Sequence, residues 1–198
     1  MALRNRTTES TVVELSNGDV LMSSRNVVPG QNARMMSISR DGGLTFQSTE
    51  LDDTLIEPSG CQGELLFHSF NPKTEKGNIL FSNPNHTKHR VRGSIQLSED
   101  DGKTWTRRYV YSNPEPAFSG YSSPAVLNEH GDIAVLFETR EVHEKPLRWY
   151  GKDCGIGLRV LRIDEILSFP SEPLSGHEEG DSEGSRTRAK TFLDRTVL

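Results

Sequence analysis

The chain has 198 residues, a formal net charge of −5 and 33% hydrophobic residues, with a mean hydropathy of −0.59, which fits one globular domain or part of a larger one. No apolar run approaches the roughly 18 residues needed to span a bilayer, and the first twenty residues lack the apolar core of a signal peptide. The acidic balance argues against nucleic acid as the main partner, and two cysteines, Cys61 and Cys154, are too few for a disulfide scaffold. They read as free buried thiols, with a single bridge as the alternative.

Apolar residues recur almost throughout at period two, the mark of half-buried strands. In chain order the expected strands are "STVVEL" (10–15), "GDVLMSSR" (18–25), "ARMMSIS" (33–39), "GELLFHS" (63–69), "GNILFS" (77–82), "GSIQLS" (93–98), "TWTRRYVY" (104–111), "SSPAVL" (122–127) and "DIAVLFE" (132–138). The turns "SNGD" (16–19), "KGN" (76–78) and "EHGD" (129–132) put Asn or Gly where a hairpin needs positive φ. Successive strands are therefore expected to be antiparallel neighbours. The only expected helix is a turn or two near "IDEIL" (163–167). Residues 171–190 have almost no large apolar side chains and many charged, Ser and Gly residues, so disorder is expected there. The chain divides on this reading into an ordered all-β part, 1–168, and a low-complexity tail, 169–198.

One internal repeat stands out. "SRDGGLTF" (39–46) and "SEDDGKTW" (98–105) share the pattern S-x-D-x-G-x-T-aromatic at a period of 59 residues, as the difference between Ser98 and Ser39 gives. Each copy has the chemistry of a hairpin tip: a carboxylate to accept backbone amides, a glycine for positive φ, and an aromatic ring to pack back into the sheet. A calcium loop would need more acids than the lone Asp41 of the first copy supplies.

Two such boxes in an all-β chain resemble the Asp-box repeats of the sialidase (neuraminidase) family, whose fold is a six-bladed β-propeller. "TESTVVELSNGDVLMSSRN" (8–26) is similar to the family segment in which a glutamate opens one strand and an arginine closes the next, here Glu9 and Arg25. "FSNPNHTKHRVRGSIQLSEDDGKTW" (81–105) is similar to the segment that supplies a further arginine, here Arg90. "SGYSSPAVLNEHGDIAVLFE" (119–138) is similar to the segment with the nucleophilic tyrosine, here Tyr121. The resemblance covers roughly residues 5–168 and implies about three propeller blades, the C-terminal half of the family fold.

What it implies for function is an exo-α-sialidase that removes terminal sialic acids from oligosaccharides, glycoproteins or glycolipids, without cofactor or metal. A sialic acid carries a carboxylate on its anomeric carbon, so a carboxylate nucleophile would meet like charge; sialidases use a tyrosine instead. A phenol of pKa about 10 needs a base as it attacks, the role implied for Glu9. Arg25 and Arg90 would clamp the substrate carboxylate through parallel N–H donors.

Each assignment has a plainer rival. Glu14 competes with Glu9, although opposite parity sends the two to opposite sides of a regular strand. Arg92 would point with Arg90 in a strand. A lone tyrosine is usually a buried ring, and His86 with His89 read as loop residues rather than metal ligands. Glu138 is placed at the rim of the site. "NRT" (5–7) and "NHT" (85–87) are glycosylation sequons. The family's Arg-Ile-Pro segment and acid/base aspartate have no counterpart here, so a missing N-terminal half is an expected partner and the chain alone is expected to be inactive. The alternative is a non-catalytic sialoglycan-binding or structural propeller fragment.

Overall fold

The computed structural model describes residues 7–58, 60–112, 117–140 and 154–169. Of the expected tail, 169–198, only Phe169 falls within these residues, its ring edge-on to Tyr109 at 5.5 Å. Within them the order is β1 (Thr7–Glu14), β2 (Val20–Asn26), β3 (Ala33–Ser39), β4 (Gln47–Ile56), β5 (Glu64–Asn71), β6 (Lys76–Pro84), β7 (Gly93–Ser98), β8 (Arg107–Val110), β9 (Ser119–Val126), β10 (Ile133–Arg140), β11 (Cys154–Leu161) and α1 (Ile163–Leu167). The strands form three antiparallel sheets with neighbours in sequence order: β1 to β4, β5 to β8, and β9 to β11. β1 packs beside β5, and β9 beside β5 and β6, so the sheets stack through their first strands.

The middle sheet is buried on both faces because its strands alternate two apolar sets. Ile79 and Phe81 of β6 face the first sheet, in a cluster with Val13, Leu21, Leu65 and Trp105. Leu80, one position between them, faces the third sheet with Ile95, Leu97, Val135 and Phe137. Every residue of β7 is consequently buried. A fully buried side chain of this kind contributes roughly 1.5–3 kcal/mol, so the two clusters dominate cohesion between sheets. The short helix adds Ile166 to the second cluster. The opposite face of the third sheet leaves Leu136, Ile156, Leu158 and Val160 at least half exposed.

The two repeats are superimposable knots. Thr45 N–H donates to Asp41 Oδ1 at 2.8 Å, and Thr104 N–H to Asp100 Oδ1 at 2.8 Å. Ser39 and Ser98 each donate their hydroxyl to that aspartate at 2.7 Å and accept a glycine N–H at 2.8 Å. Each closes the connection between the third and fourth strands of its sheet. The second copy adds something the first lacks: Asp101, at φ 63, occupies the place of Gly42. Its carboxylate accepts Ser16 N–H at 3.1 Å and Oγ–H at 2.7 Å from the first sheet, and Gly77 N–H at 2.8 Å from the second. A residue that merely filled a turn would not need this strained backbone; Asp101 staples two sheets.

Several expectations change. β4 and β11 are absent from the sequence reading, and β4 carries no clean alternation. β4 holds the pair Asp52 and Asp53 and has register shifts at both ends of its pairing with β3. β11 alternates Ile156, Leu158 and Val160 with Gly157 and Arg159, a period-two signal the sequence reading passed over, and leaves those apolar residues on the open face. The positive φ expected in "KGN" falls one residue before it, on Glu75; Gly77 is needed instead because a Cβ would meet Phe67 at 2.6 Å and Asp101 at 2.9 Å. Cys61 is buried, but Cys154 is partly exposed, and both are free thiols.

Candidate active site

Four side chains named from the sequence come together at the end of the sheets opposite the two knots. Glu9 sits in a β-bulge: the pairing of β1 with β2 shifts register between Thr8 and Ser10, and Glu9 takes φ 40. Bulges re-aim a side chain, so the parity that would distinguish Glu9 from Glu14 in a regular strand does not govern it. The sequence could not reveal this, because an extra residue leaves the apolar pattern of "STVVEL" intact.

Glu9 Oε1 accepts a short hydrogen bond from the Tyr121 hydroxyl, joining the first sheet to the third. Its other oxygen accepts Arg25 Nη1–H at 2.8 Å, and the same nitrogen lies 3.5 Å from the Tyr121 oxygen. Arg90, on the connection between β6 and β7, sets its guanidinium 5.2 Å from the centre of the Tyr121 ring. Three sheets thus supply one cluster. Burial is the main reason the Tyr121 phenol is pushed up to about 12, with the hydrogen bond and charge of Glu9 acting the same way against Arg25 and Arg90. For Glu9, burial pushes the carboxyl up, but the Tyr121 hydroxyl and the charges of Arg25 and Arg90 outweigh it, and the net direction is down. Neutral pH therefore finds an ionised Glu9 touching a protonated Tyr121. Arg25 is raised; burial opposes its charge, and its bond to Glu9 more than restores it.

The residues flanking Tyr121 are accounted for by contact. A Cβ on Gly120 would collide with the Glu138 carboxylate, which accepts Tyr121 N–H at 3.0 Å and lies 4.0 Å from Arg90. Ser122 Oγ bonds Ser82 Oγ at 2.6 Å. Glu138, expected near the rim from sequence, is 25% exposed and holds the Tyr121 backbone. Gly60 is a residue the sequence reading missed: its carbonyl accepts Arg90 Nη2–H at 2.6 Å, and a Cβ there would stand 2.5 Å from Arg25 Nη2. The glycine-punctuated "SGCQGE" (59–64) was the available signal.

The rivals fare differently. Arg92 takes φ 59 outside any strand, so two-residue alternation does not aim it with Arg90. His86 Nδ1 accepts the backbone N–H of Lys88 and His89, each at 3.0 Å. Among the described residues no group of three or more His, Cys, Asp or Glu could hold a metal ion, and no helix is long and apolar enough to cross a membrane. Asn85 of the second sequon is buried, while Asn5 lies outside the described residues.

No family model matches the chain. Over 143 residues, 71% of this chain and 25% of the relative, it is 30% identical to a sialidase of Bacteroides fragilis. Over 135 residues, 66% and 20% respectively, it is 31% identical to a sialidase of Micromonospora viridifaciens. This chain is homologous to these sialidases over that part of its length. It spans a fifth to a quarter of the length of these sialidases. The NanB sialidase of Streptococcus pneumoniae matches its fold with a TM-score of 0.65 over 84% of this chain and 25% of that one, at 23% identity. The intramolecular trans-sialidase of Ruminococcus gnavus does so with a TM-score of 0.64 over 82% and 34%, at 24% identity. The three sheets are thus part of a sialidase-type propeller.

Proposed function

We propose that this chain carries the nucleophile, its base and two carboxylate-binding arginines of an exo-α-sialidase. The observation that supports this most directly is the contact between Tyr121 and Glu9, residues 112 positions apart held by different sheets. A phenol held near pKa 12 is not a nucleophile by ionisation. It becomes one if its proton passes to Glu9 Oε1 while its oxygen bonds to the anomeric carbon and the aglycone oxygen departs. Water then releases the sugar from tyrosine. Arg25 and Arg90 flank the ring and would hold the substrate carboxylate beside the reacting carbon. Departure of an ordinary sugar oxygen needs a proton, and the acid/base aspartate of the family has no counterpart among these 198 residues. The chain alone is therefore proposed to turn over sialoglycoconjugates little or not at all, and a missing N-terminal half is its proposed partner.

A fluoride leaving group departs without that proton. Incubation with a 3-fluorosialosyl fluoride should add one 3-fluorosialosyl group to the peptide containing Tyr121. The adduct should disappear in Tyr121→Phe and form much more slowly in Glu9→Gln. Binding of sialyllactose with no adduct would favour the second reading, a sialoglycan-binding or structural propeller piece, since binding requires neither base nor nucleophile.

A further inference from the structure

Beneath the site lies an ion pair with no role in the chemistry above. Arg34 of β3 is fully buried and meets Glu57, itself 1% exposed, at 2.5 Å. Arg34 Nε–H also donates to Ser23 Oγ at 3.0 Å, and Nη1–H to the Cys61 carbonyl at 3.3 Å. Its guanidinium rests 5.4 Å from the centre of the Phe81 ring of the middle sheet. Burial pushes the Glu57 carboxyl up against the opposing pull of Arg34. Buried pairs are poor sources of stability, because desolvation offsets their attraction, and apolar substitutes often serve as well. Their better-attested use is to fix one arrangement among several.

The arrangement fixed here is the connection between β4 and β5. Glu57 Oε1 accepts the N–H of Asn26, next to Arg25, at 3.1 Å. Gly60 offers its carbonyl to Arg90 and its bare Cα to Arg25. Gln62 Oε1 accepts the N–H of Ser122, next to Tyr121, at 3.1 Å, while its amide nitrogen is oriented by Glu64 at 3.2 Å. One short connection thus touches Arg25 or its neighbour, Arg90, and the neighbour of Tyr121, in three different sheets.

We propose that this connection sets the spacing of the sialidase cluster across the three sheets, and that Glu57, locked by Arg34, is its positioning residue. The proposal rests on the sialidase reading only for the purpose of the spacing; the coupling itself is testable without sugar. In the full 198-residue chain labelled with [13Cζ]tyrosine, Tyr121→Phe assigns the Tyr121 resonance. Glu57→Gln keeps size and an acceptor for Asn26 but loses the charge. It should shift the Tyr121 resonance and speed hydrogen exchange at the Ser122 amide about tenfold, although Ser122 is in another sheet. Leu97→Ala, a core truncation away from the connection, should leave the Tyr121 resonance in place. If Glu57→Gln fails to fold, Gln62→Ala carries the test, with the same resonance expected to move. An unmoved Tyr121 resonance in the folded variant, or an equal shift in Leu97→Ala, would overturn the proposal. A wild-type chain that forms no sialosyl adduct while its resonance responds to Glu57→Gln would remove the sialidase reading and leave the coupling intact.

Discussion

Replacing Gly60 by alanine separates the cost of a distorted backbone from the cost of a displaced arginine. Gly60 has φ +86, and a Cβ there would stand 2.5 Å from Arg25 Nη2 and 3.3 Å from Arg25 Cζ. A side chain in the left-handed region costs about 1–2 kcal/mol, equivalent to roughly 2–8 °C of melting temperature for a chain of this size. The contact itself costs little stability, because a flexible side chain can retreat. To reach an ordinary 3.4 Å, Arg25 Nη2 must withdraw by 3.4 minus 2.5, or 0.9 Å. Its Nη1 bond to Glu9 starts at 2.8 Å, so a withdrawal along that line carries it past hydrogen-bond reach. Gly60→Ala should melt only a few degrees early yet form the Tyr121 adduct at least about tenfold more slowly, the expected consequence of a lost charge-assisted contact. Differential scanning fluorimetry and timed mass spectrometry read the two effects. Wild-type labelling in a variant that shows the full melting loss would refute the placement of Arg25.

Glu9→Gln should lower the Tyr121 titration from about 12 toward the ordinary 10, since the charge that opposes ionisation is gone; ultraviolet titration against a Tyr121→Phe blank measures it. Asp101→Gly should destabilise the chain even though glycine suits φ 63, because the buried Gly77 N–H loses its acceptor, at about 1–3 kcal/mol, and the part-buried Ser16 N–H and hydroxyl lose theirs; urea melts decide. Hydrogen bonds from Thr45 and Ser39 hold the Asp41 carboxyl down at about 2, below its ordinary 3.8. A depressed carboxylate contributes stability above its unfolded value and loses it as pH falls through its folded value. Melting temperature should therefore decline between pH 3.8 and about 2, and Asp41→Asn should flatten part of that decline.

The fold was largely legible because short apolar strands are punctuated by turn sequences such as "SNGD" (16–19) and "EHGD" (129–132), and because the knots at Ser39 and Ser98 depend only on local sequence. β4 escaped notice because its acids answer to tertiary partners: Asp52 accepts the Trp105 indole N–H at 3.0 Å from the next sheet. Tyr121, Glu9, Arg25 and Arg90 could be named through family resemblance, and they do stand together. What brings them together could not be read. The bulge at Glu9 and the inter-sheet bonds of Glu57, Gly60 and Gln62 are long-range facts that leave no local periodicity.

The bond between Tyr121 and Glu9 crosses from the third sheet to the first without passing through the core. With packed sheets about 10 Å apart, a relative rotation of about 3° moves a side chain at that distance by about 0.5 Å, enough to weaken a hydrogen bond. Each sheet could keep its own pairing through such a turn while the phenol lost its partner. The tyrosine is therefore an angular gauge, and its spectrum would register a twist between blades too small to alter circular dichroism or melting.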